Sequence, residues 1–509
     1  MQEKSIQKFP TKLSSWLAFV LIVIFVASFA VRVFRLDFYS LWYDEVSTVF
    51  LVQPGTESSA MRTIINATGS EILHPLYYLI LSAWVKFAGS SVWAVRFPSV
   101  VFGSCAVIIY AVMLYQTGGR KVFPFALLLA VSPFLVWYSR DARPYALIMF
   151  LTGLHLLFYI NVLHNPSSKV YLAGLILTGI ISMYSGIFIS MLIATELTWS
   201  FFRRRLTEIG ALTLVLFLAL PLFWQGYRTF FQRRSDRYRD LPTGMSAARI
   251  IGFPQELFVA RSFGPTPDEA RRFPLGELLR EKSLEIGVEI VAITCIISSF
   301  AFSVRSWKKA PDSKGHRSVM VRTLCFISVA VCLQAALLIA ISGYQMNARH
   351  IGFIFGPLFV AAAYPVAQAE GYLHKVLFVT PLLVLWTWSS ANQLFDPSYV
   401  PDDFKNAAWI IENDEHPTSE VIALCHKDAL SYYGVKKPIV YLRESPRVTP
   451  ESILAHLRSG SSPAWLVLSR PWNYPNFHTE DLSNHFRILQ SKELPGINMW
   501  LLVPIDSPK

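Results

Sequence analysis

Repeated apolar runs of about 20 residues, separated by short charged segments, constrain this chain more than any other feature of its sequence. A run of that length lets an α-helix cross the hydrocarbon core of a bilayer, and several in succession are typical of multi-pass membrane proteins. Hydrophobic residues make up 53% of the 509 residues and charged residues only 16%. A soluble domain of this size needs more surface charge, so the sequence excludes soluble fold classes.

The apolar runs predict an all-α polytopic membrane protein with about 11 transmembrane helices. The predicted spans are residues 14–34, 94–116, 122–138, 144–163, 170–183, 186–202, 206–225, 284–304, 320–342, 350–367 and 373–394. The stretch 75–89 is excluded from the spans because it is short and contains Lys86, which suits an interfacial or re-entrant helix. Only residues 184 and 185 separate 170–183 from 186–202, so whether these are two helices stays open.

The distribution of Lys and Arg predicts the orientation. When 75–89 does not span, the Arg203–Arg205 cluster and the loop containing Lys308 and Lys309 lie inside, as the positive-inside rule requires. This arrangement places the N-terminus in the cytoplasm and the C-terminus outside the cell (inner) membrane. The net charge of +12 is concentrated at the ends of the spans, so it reports topology and predicts no nucleic-acid partner.

Two domains are expected. Residues 1–395 form a transmembrane catalytic module with extracytoplasmic loops 35–93 and 226–283, and residues 396–509 form a small C-terminal extracytoplasmic α/β domain. Short apolar runs alternate with helix-like pieces in this tail, at residues 421–424, 428–433, 438–442, 450–457 and 464–468. Since the tail contains none of the motifs described below, we expect it to help select an acceptor.

The first loop contains an adjacent acidic pair, in residues 41–45, which read Leu-Trp-Tyr-Asp-Glu. Such a pair is usually solvated surface charge. Here it lies close to the membrane surface, between an aromatic patch and an apolar stretch, where a carboxylate can act as a general base toward a hydroxyl. Asp44 and Glu45 are therefore the candidate catalytic residues.

A second polar motif lies in the turn where residues 138–145 read Tyr-Ser-Arg-Asp-Ala-Arg-Pro-Tyr. One interpretation is a helix-end cap with local Arg–Asp pairing, and the proline at the start of the next helix fits it. The other is a site for phosphate or sugar hydroxyls, since arginine offers planar, paired donors. In that case Arg140, Asp141, Arg143 and Tyr145 bind substrate. Both interpretations remain open.

Two further positions are substrate-binding candidates. His74 opens the short helix at Pro75, where a hydrogen-bonded structural histidine is the alternative. Arg349 and His350 lie in an outside turn before the penultimate span; a snorkelling anchor is the alternative there, and phosphate contact is favoured.

Together the motifs resemble a known family. They are Leu-Trp-Tyr-Asp-Glu, His-Pro-Leu-Tyr-Tyr, Trp-Ala-Val-Arg-Phe-Pro-Ser, Ser-Arg-Asp-Ala-Arg-Pro-Tyr and a late Arg-His, in that order. The set resembles GT-C glycosyltransferases related to the protein O-mannosyltransferases and the aminoarabinose transferase of lipid A, the glycosyltransferase family 39-like group. The resemblance covers residues 14 to about 160 and, more loosely, 349–357.

The resemblance implies a polyprenyl-phosphate-linked sugar donor and an inverting transfer of a hexosyl or pentosyl group to a lipid, glycan or protein hydroxyl. It implies that Asp44 is the base, and Asp141 falls where relatives have a second acidic residue. Relatives often have Arg-Tyr where this chain has Arg349-His350, and Tyr-Thr-His where residues 183–186 read Met-Tyr-Ser-Gly. No metal ligand and no certain cofactor are predicted, although a divalent cation is compatible with the family.

A lipid-linked donor also follows from topology, because a site outside the membrane cannot draw on cytosolic nucleotide sugars. The chain has no Asp-x-Asp motif for a metal-held nucleotide sugar, so arginines are expected to stabilise the leaving phosphate. The alternative is a polytopic transporter or a lipid-linked glycan flippase or polymerase. Glu196 and Glu289, which lie within apolar segments, are the residues that favour it.

Overall fold

The computed structural model describes residues 15–53, 73–227, 255–260, 262–266, 269, 274–309, 316–342, 346–399, 402–416, 420–426, 428–442, 453, 463–471, 477 and 479–505. Much of the two predicted extracytoplasmic loops, 35–93 and 226–283, lies outside these ranges. The described part is mostly helical and ends in a small β-sheet, as the sequence predicted.

The helices before the sheet follow the apolar runs closely. They are α1 (Ser15–Val33), α2 (Tyr43–Val52), α3 (Pro75–Ala88), α4 (Val92–Gly118), α5 (Phe123–Ala130), α6 (Pro133–Ser139), α7 (Tyr145–His164), α8 (Lys169–Ser185), α9 (Ile189–Phe202), α10 (Leu206–Leu218), α11 (Leu275–Glu281), α12 (Ser283–Lys309), α13 (His316–Ser342), α14 (Phe355–Gln368) and α15 (Tyr372–Phe395). Short 3₁₀ segments cover Gly119–Val122, Ala348–Ile354 and Pro397–Tyr399.

The count of about 11 spans is not confirmed. Among the described residues, six helical segments are long and apolar enough to cross a membrane, or seven if one bent pair counts as a single span. Helices α8 and α9 are apolar but have only 17 and 14 residues, and α10 bends by 48° into a following helix at Leu220–Tyr227. Sequence hydropathy locates these apolar helices but does not register the breaks and short lengths that leave their count as separate spans unconfirmed.

The chain reverses after α4. Gly119 adopts a positive φ of 64°, which favours glycine, and the short 3₁₀ segment there is followed by α5 and α6, both of which pack back against α4. The predicted second and third spans thus correspond to α4 and to the broken pair α5–α6. The break lies before Pro133, which begins α6 and has no amide hydrogen for helical bonding with the preceding turn.

The helices pack around one large apolar core in which small residues allow close approach. The ring of Tyr110 lies against Gly153 of α7 and Gly356 of α14, where an added side-chain carbon would collide with it. Its hydroxyl donates to the carbonyl of Met149 (2.9 Å). These contacts hold α4, α7 and α14 together.

The C-terminal part forms a five-stranded mixed sheet. After α16 (Phe404–Glu412) come β1 (Glu420–Leu424), α17 (Ala429–Tyr432), β2 (Ile439–Tyr441), β3 (Ala464–Ser469), α18 (Thr479–Leu482), β4 (Phe486–Leu494) and β5 (Ile497–Pro504). The strand order is β2-β1-β3-β5-β4, in which β2, β1 and β3 are parallel and β5 is antiparallel to both β3 and β4.

The two faces of the sheet bury different partners. Alternate residues of β1 and β3, including Val421, Ala423, Trp465 and Val467, belong to an apolar cluster that also contains residues of α2, α3 and α16. The intervening residues pack in a separate cluster with α18 and the start of β4. One face of the sheet therefore lies against the helices of the first loop.

Candidate active site

Helix α2 presents the acidic pair of the first loop in its first turn. Glu45 accepts a hydrogen bond from the backbone amide of Trp42 (3.3 Å), which closes the N-terminal turn. Acidic side chains are favoured at this end of a helix because the first amides have no partner within the helix and the helix dipole is positive there. The local sequence therefore explains why Asp44 and Glu45 lie in the first turn of a short helix.

Glu45 forms a buried ion pair with Arg96 of α4. The distances from its carboxylate to the guanidinium are 2.8 and 2.6 Å, and one carboxylate oxygen also accepts from the amide of Ala142 (2.8 Å). Arg96 donates in addition to the carbonyls of Leu36, Tyr39 and Ser40. With both oxygens engaged and the side chain buried, this geometry favours a role in holding the loop rather than the catalytic role predicted for Glu45.

Arg140 caps the end of α1. Its guanidinium donates to the carbonyls of Arg32 (2.8 Å), Phe34 (2.6 Å) and Arg35 (3.1 Å). Arg35 has a positive φ of 52°, the conformation that commonly ends a helix. For Arg140 this geometry supports the helix-cap interpretation over substrate binding.

Asp141 is buried beside Trp42. One carboxylate oxygen accepts from the indole N–H (3.0 Å), and the other has no hydrogen-bond partner within the described ranges. Burial, followed by the nearby Glu45 carboxylate, raises the pKa of Asp141 to about 8, against the lowering effects of the Trp42 hydrogen bond and Arg143. Asp141 also lines a cavity of about 70 Å³ together with Tyr39, Trp42 and Trp137.

Arg143 lies beneath the first turn of α2. Its guanidinium donates to the hydroxyl of Thr48 (3.1 Å) and approaches the carbonyl of Asp44 (3.4 Å). The side chain is buried, so it supports the backbone that presents Asp44. The ring of Tyr78 lies 6.0 Å from the guanidinium carbon.

Asp44 is the exposed carboxylate of the pair. It lies 3.6 Å from Arg349, and each side chain retains about a quarter of its exposure, 25% and 23%. The Arg349 guanidinium is 5.5 Å from the Trp42 ring and 5.8 Å from the Tyr145 ring. Motifs separated by about 300 residues in the sequence thus meet at one partly exposed acid–arginine pair.

Tyr145, His74 and His350 are gathered with Arg349 around a small cavity of about 10 Å³. The Nδ1 atom of His74 is 2.9 Å from the carbonyl of Ser185, which makes this nitrogen the donor. The Nδ1 atom of His350 accepts from the amide of Asn347 (3.0 Å) and so must be unprotonated in this arrangement. Both histidines therefore line the cavity and also form a hydrogen bond with a backbone group.

Three residues near the site lie outside the sequence motifs. Glu256 accepts from the Tyr138 hydroxyl (2.9 Å) and from the amide of Ala348 (3.2 Å), next to Arg349. Asp402 and Arg470, from the C-terminal part, reach the start of α2. Arg470 directly follows the buried parallel strand β3, and a charged residue at the end of such a strand was the signal available in the sequence.

The membrane glutamates that favoured a transporter have local partners. Glu196 is 2.8 Å from Nε2 of the buried His155, and Glu289 is 3.5 Å from the amide nitrogen of Gln255. Within the described ranges, no three His, Cys, Asp or Glu side chains converge as a metal site would require.

Comparison with solved structures identifies the fold. The oligosaccharyltransferase AglB from Archaeoglobus fulgidus matches at 11% identity, over 97% of this chain and 76% of that chain. Its TM-score is 0.51 for the structure tethered with an acceptor peptide containing the NVT sequon, and 0.50 for the complex with an inhibitory peptide and a dolichol-phosphate. The chain therefore has the GT-C glycosyltransferase fold that the motifs predicted.

A bacterial transferase also matches over nearly its full length. ArnT from Cupriavidus metallidurans in the apo state aligns at 12% identity and a TM-score of 0.46, over 96% of this chain and 98% of that chain. The structure of ArnT bound to undecaprenyl phosphate aligns with a TM-score of 0.45. No protein-family profile matches the chain, and no curated protein sequence matches it.

Proposed function

We propose that this protein is an inverting glycosyltransferase that moves a sugar from a polyprenyl-phosphate donor to an acceptor hydroxyl on the extracytoplasmic face of the membrane. The observation that supports it most directly is the exposed pair of Asp44 and Arg349. A carboxylate beside a guanidinium offers a base for a hydroxyl and a counter-charge for a leaving phosphate. The GT-C fold agrees with this chemistry.

The proposed reaction is a single in-line displacement. The acceptor oxygen forms a bond to the anomeric carbon while the bond from that carbon to the phosphate oxygen breaks, and the phosphate takes the electron pair. Asp44 receives the proton of the acceptor hydroxyl, and Arg349 stabilises the charge of the released lipid phosphate. Attack opposite to the leaving group inverts the anomeric configuration.

Arg349 can donate a further hydrogen bond to a phosphate. Its Nε atom hydrogen-bonds to none of the described residues, although it is buried. A phosphate that binds the guanidinium competes with Asp44 for it, so donor binding frees the carboxylate to accept a proton. This exchange of partners links donor binding to activation of the base.

Mass spectrometry of a deletion strain tests the proposal. Loss of the chain should raise one lipid-linked sugar and remove one glycoconjugate, and re-expression of the wild type should reverse both changes. An unchanged profile of lipid-linked sugars and glycoconjugates would reject glycosyl transfer. A sugar-lipid that accumulates on the cytoplasmic side only would favour the flippase alternative, because a missing transferase would leave its donor on the extracytoplasmic side.

A further inference from the structure

The C-terminal part of the chain contacts the segment that contains Asp44. The backbone amide of Leu41 donates to the hydroxyl of Tyr433 (2.6 Å), and the hydroxyl of Ser47 lies 2.9 Å from Nε2 of His426. The His426 ring also packs edge-on against Tyr43, with centroids 5.0 Å apart. Residues 41–47 are therefore contacted on both sides of the acidic pair.

The most buried of these contacts is at the first residue of α2. Asp402 is fully buried and accepts from the amide of Tyr43 (3.1 Å). This amide belongs to the first turn, where no intrahelical carbonyl is available, so Asp402 supplies the missing acceptor. Arg470 pairs with the same carboxylate (3.1 Å) and lies 4.6 Å from the Tyr43 ring.

The cost of burying Asp402 indicates that the contact is specific. A buried carboxylate is tolerated only when it is paired and hydrogen-bonded, and here the two partners are the amide at the start of α2 and a guanidinium held on the sheet. Arg470 itself has a positive φ of 55°, a conformation that side chains other than glycine rarely adopt. Asp44 is the residue next to Tyr43 and also lies within electrostatic range of Arg470.

We infer that Asp402 and Arg470 are positioning residues for the reaction: they fix the first turn of α2 so that Asp44 faces the acceptor hydroxyl. This inference rests on the proposed function of Asp44. The C-terminal part then contributes to turnover, in addition to the acceptor selection expected from its sequence. The inference predicts that loss of the pair lowers turnover through Asp44 and leaves donor binding intact.

A kinetic cycle tests the coupling. Asp402→Asn should lower kcat by roughly 10- to 100-fold, the scale of a small misplacement of a reacting group, with the KM for donor unchanged. In an Asp44→Asn background the same substitution should cost less than about 2-fold, because residues that act as a unit are not additive. If Asp402→Asn lowers kcat by the same factor in the wild-type and Asp44→Asn backgrounds, the inference is wrong.

Hydrogen exchange provides a readout that does not depend on the reaction. In Asp402→Asn and in Arg470→Gln, the amides of residues 43–47 should exchange at least about 10-fold faster, since the acceptor of the Tyr43 amide loses its negative charge in the first variant and its guanidinium partner in the second. Asp414→Asn is the control, because Asp414 is another acid of the C-terminal part with little side-chain exposure (3%), but it accepts from the indole N–H of Trp465 (2.8 Å) and not from α2. Unchanged exchange in folded Asp402→Asn protein would reject the positioning role. Faster exchange in this variant, together with no glycosyl transfer by the wild-type protein, would reject only the proposed function.

Discussion

At the scale of single residues, the two adjacent acids of the first loop have different surroundings. Asp44 is partly exposed beside Arg349, and Glu45 is buried against Arg96. A sequence motif shows two neighbouring carboxylates but does not show which one faces solvent. The structure therefore separates a candidate base from a residue that holds the loop.

This difference predicts two distinct defects. Asp44→Asn should lower turnover by roughly 10²–10⁴-fold, the usual contribution of a positioned base, with normal folding and donor binding. Glu45→Gln should instead lower the free energy of unfolding by about 3–5 kcal/mol, because it leaves Arg96 buried without its counter-charge. Turnover per folded molecule and thermal unfolding in detergent measure the two effects. Normal turnover by Asp44→Asn would require another base.

Arg349 should respond even to a substitution that keeps its charge. Lysine lacks the planar pair of donors that matches a phosphate, so Arg349→Lys should weaken binding of polyprenyl phosphate by roughly 10- to 100-fold. Arg120→Lys is the control, since Arg120 lies over Trp16 on α1, away from the site. Equal affinity of Arg349→Lys and wild type would favour the anchor role for Arg349.

Asp141 should make stability depend on pH. An unfolded aspartate titrates near 3.9, and in the fold burial raises its pKa to about 8. The folded pKa is the higher one, so the stabilisation is complete below about pH 4 and is lost as the pH rises through about 8. Asp141→Asn cannot ionise, so its unfolding temperature relative to wild type should rise between pH 5 and pH 8.5. A constant difference across that range would contradict a buried, neutral Asp141.

The motifs predicted Asp44 and Arg349 as candidate site residues, but neither their contact with each other nor the residues that arrange them. Glu256, Asp402 and Arg470 are isolated charges in segments without a motif, and each contacts a residue more than 90 positions away in the sequence. Such contacts depend on tertiary packing, which no local pattern encodes. For Arg140 the motif was visible but its role was not, because the same sequence fits a helix cap or a substrate site. Only its three backbone carbonyl partners favour the helix cap.

At the scale of elements, apolar runs predicted where the helices lie to within a few residues. Their breaks were harder to predict, since α5 ends before Pro133 and α10 bends after Leu218 without a loss of hydropathy. In the tail, β1, α17, β2 and β3 agree with the predicted pieces, and residues 450–457 lie almost wholly outside the described part of the chain. The strands β4 and β5 were missed, because charged residues interrupt the alternation in β4.

Close packing of α4 on α14 predicts sensitivity at one glycine. A methyl group at Gly356 would collide with Tyr110, so Gly356→Ala should lower the free energy of unfolding by about 1–3 kcal/mol. Gly287→Ala on α12 is the matched control, because nothing lies within 4 Å of its added carbon. Thermal unfolding of the two variants in detergent should therefore differ, and equal stability would contradict the close helix contact.

At the scale of the whole molecule, the fold is that of the GT-C glycosyltransferases, and the predicted orientation can be measured. Lys121→Cys, in the turn after α4, should be labelled only from the cytoplasmic side. Lys436→Cys, in the C-terminal part, should be labelled only from outside, and both side chains are exposed. Wild-type protein with its five native cysteines is the background control. External labelling of Lys121→Cys would reverse the orientation and remove the site from the extracytoplasmic face.

The bonds that hold the start of α2 connect residues that are far apart in the sequence and are therefore synthesised at different times. Leu41 and Tyr433 are separated by 392 residues, and Tyr43 and Asp402 by 359. A ribosome that starts at the N-terminus makes the first loop long before the segment that caps α2 exists. Under the proposed positioning role, the acid of the first loop stays unaligned until that segment is made, so a chain arrested during synthesis is expected to be inactive.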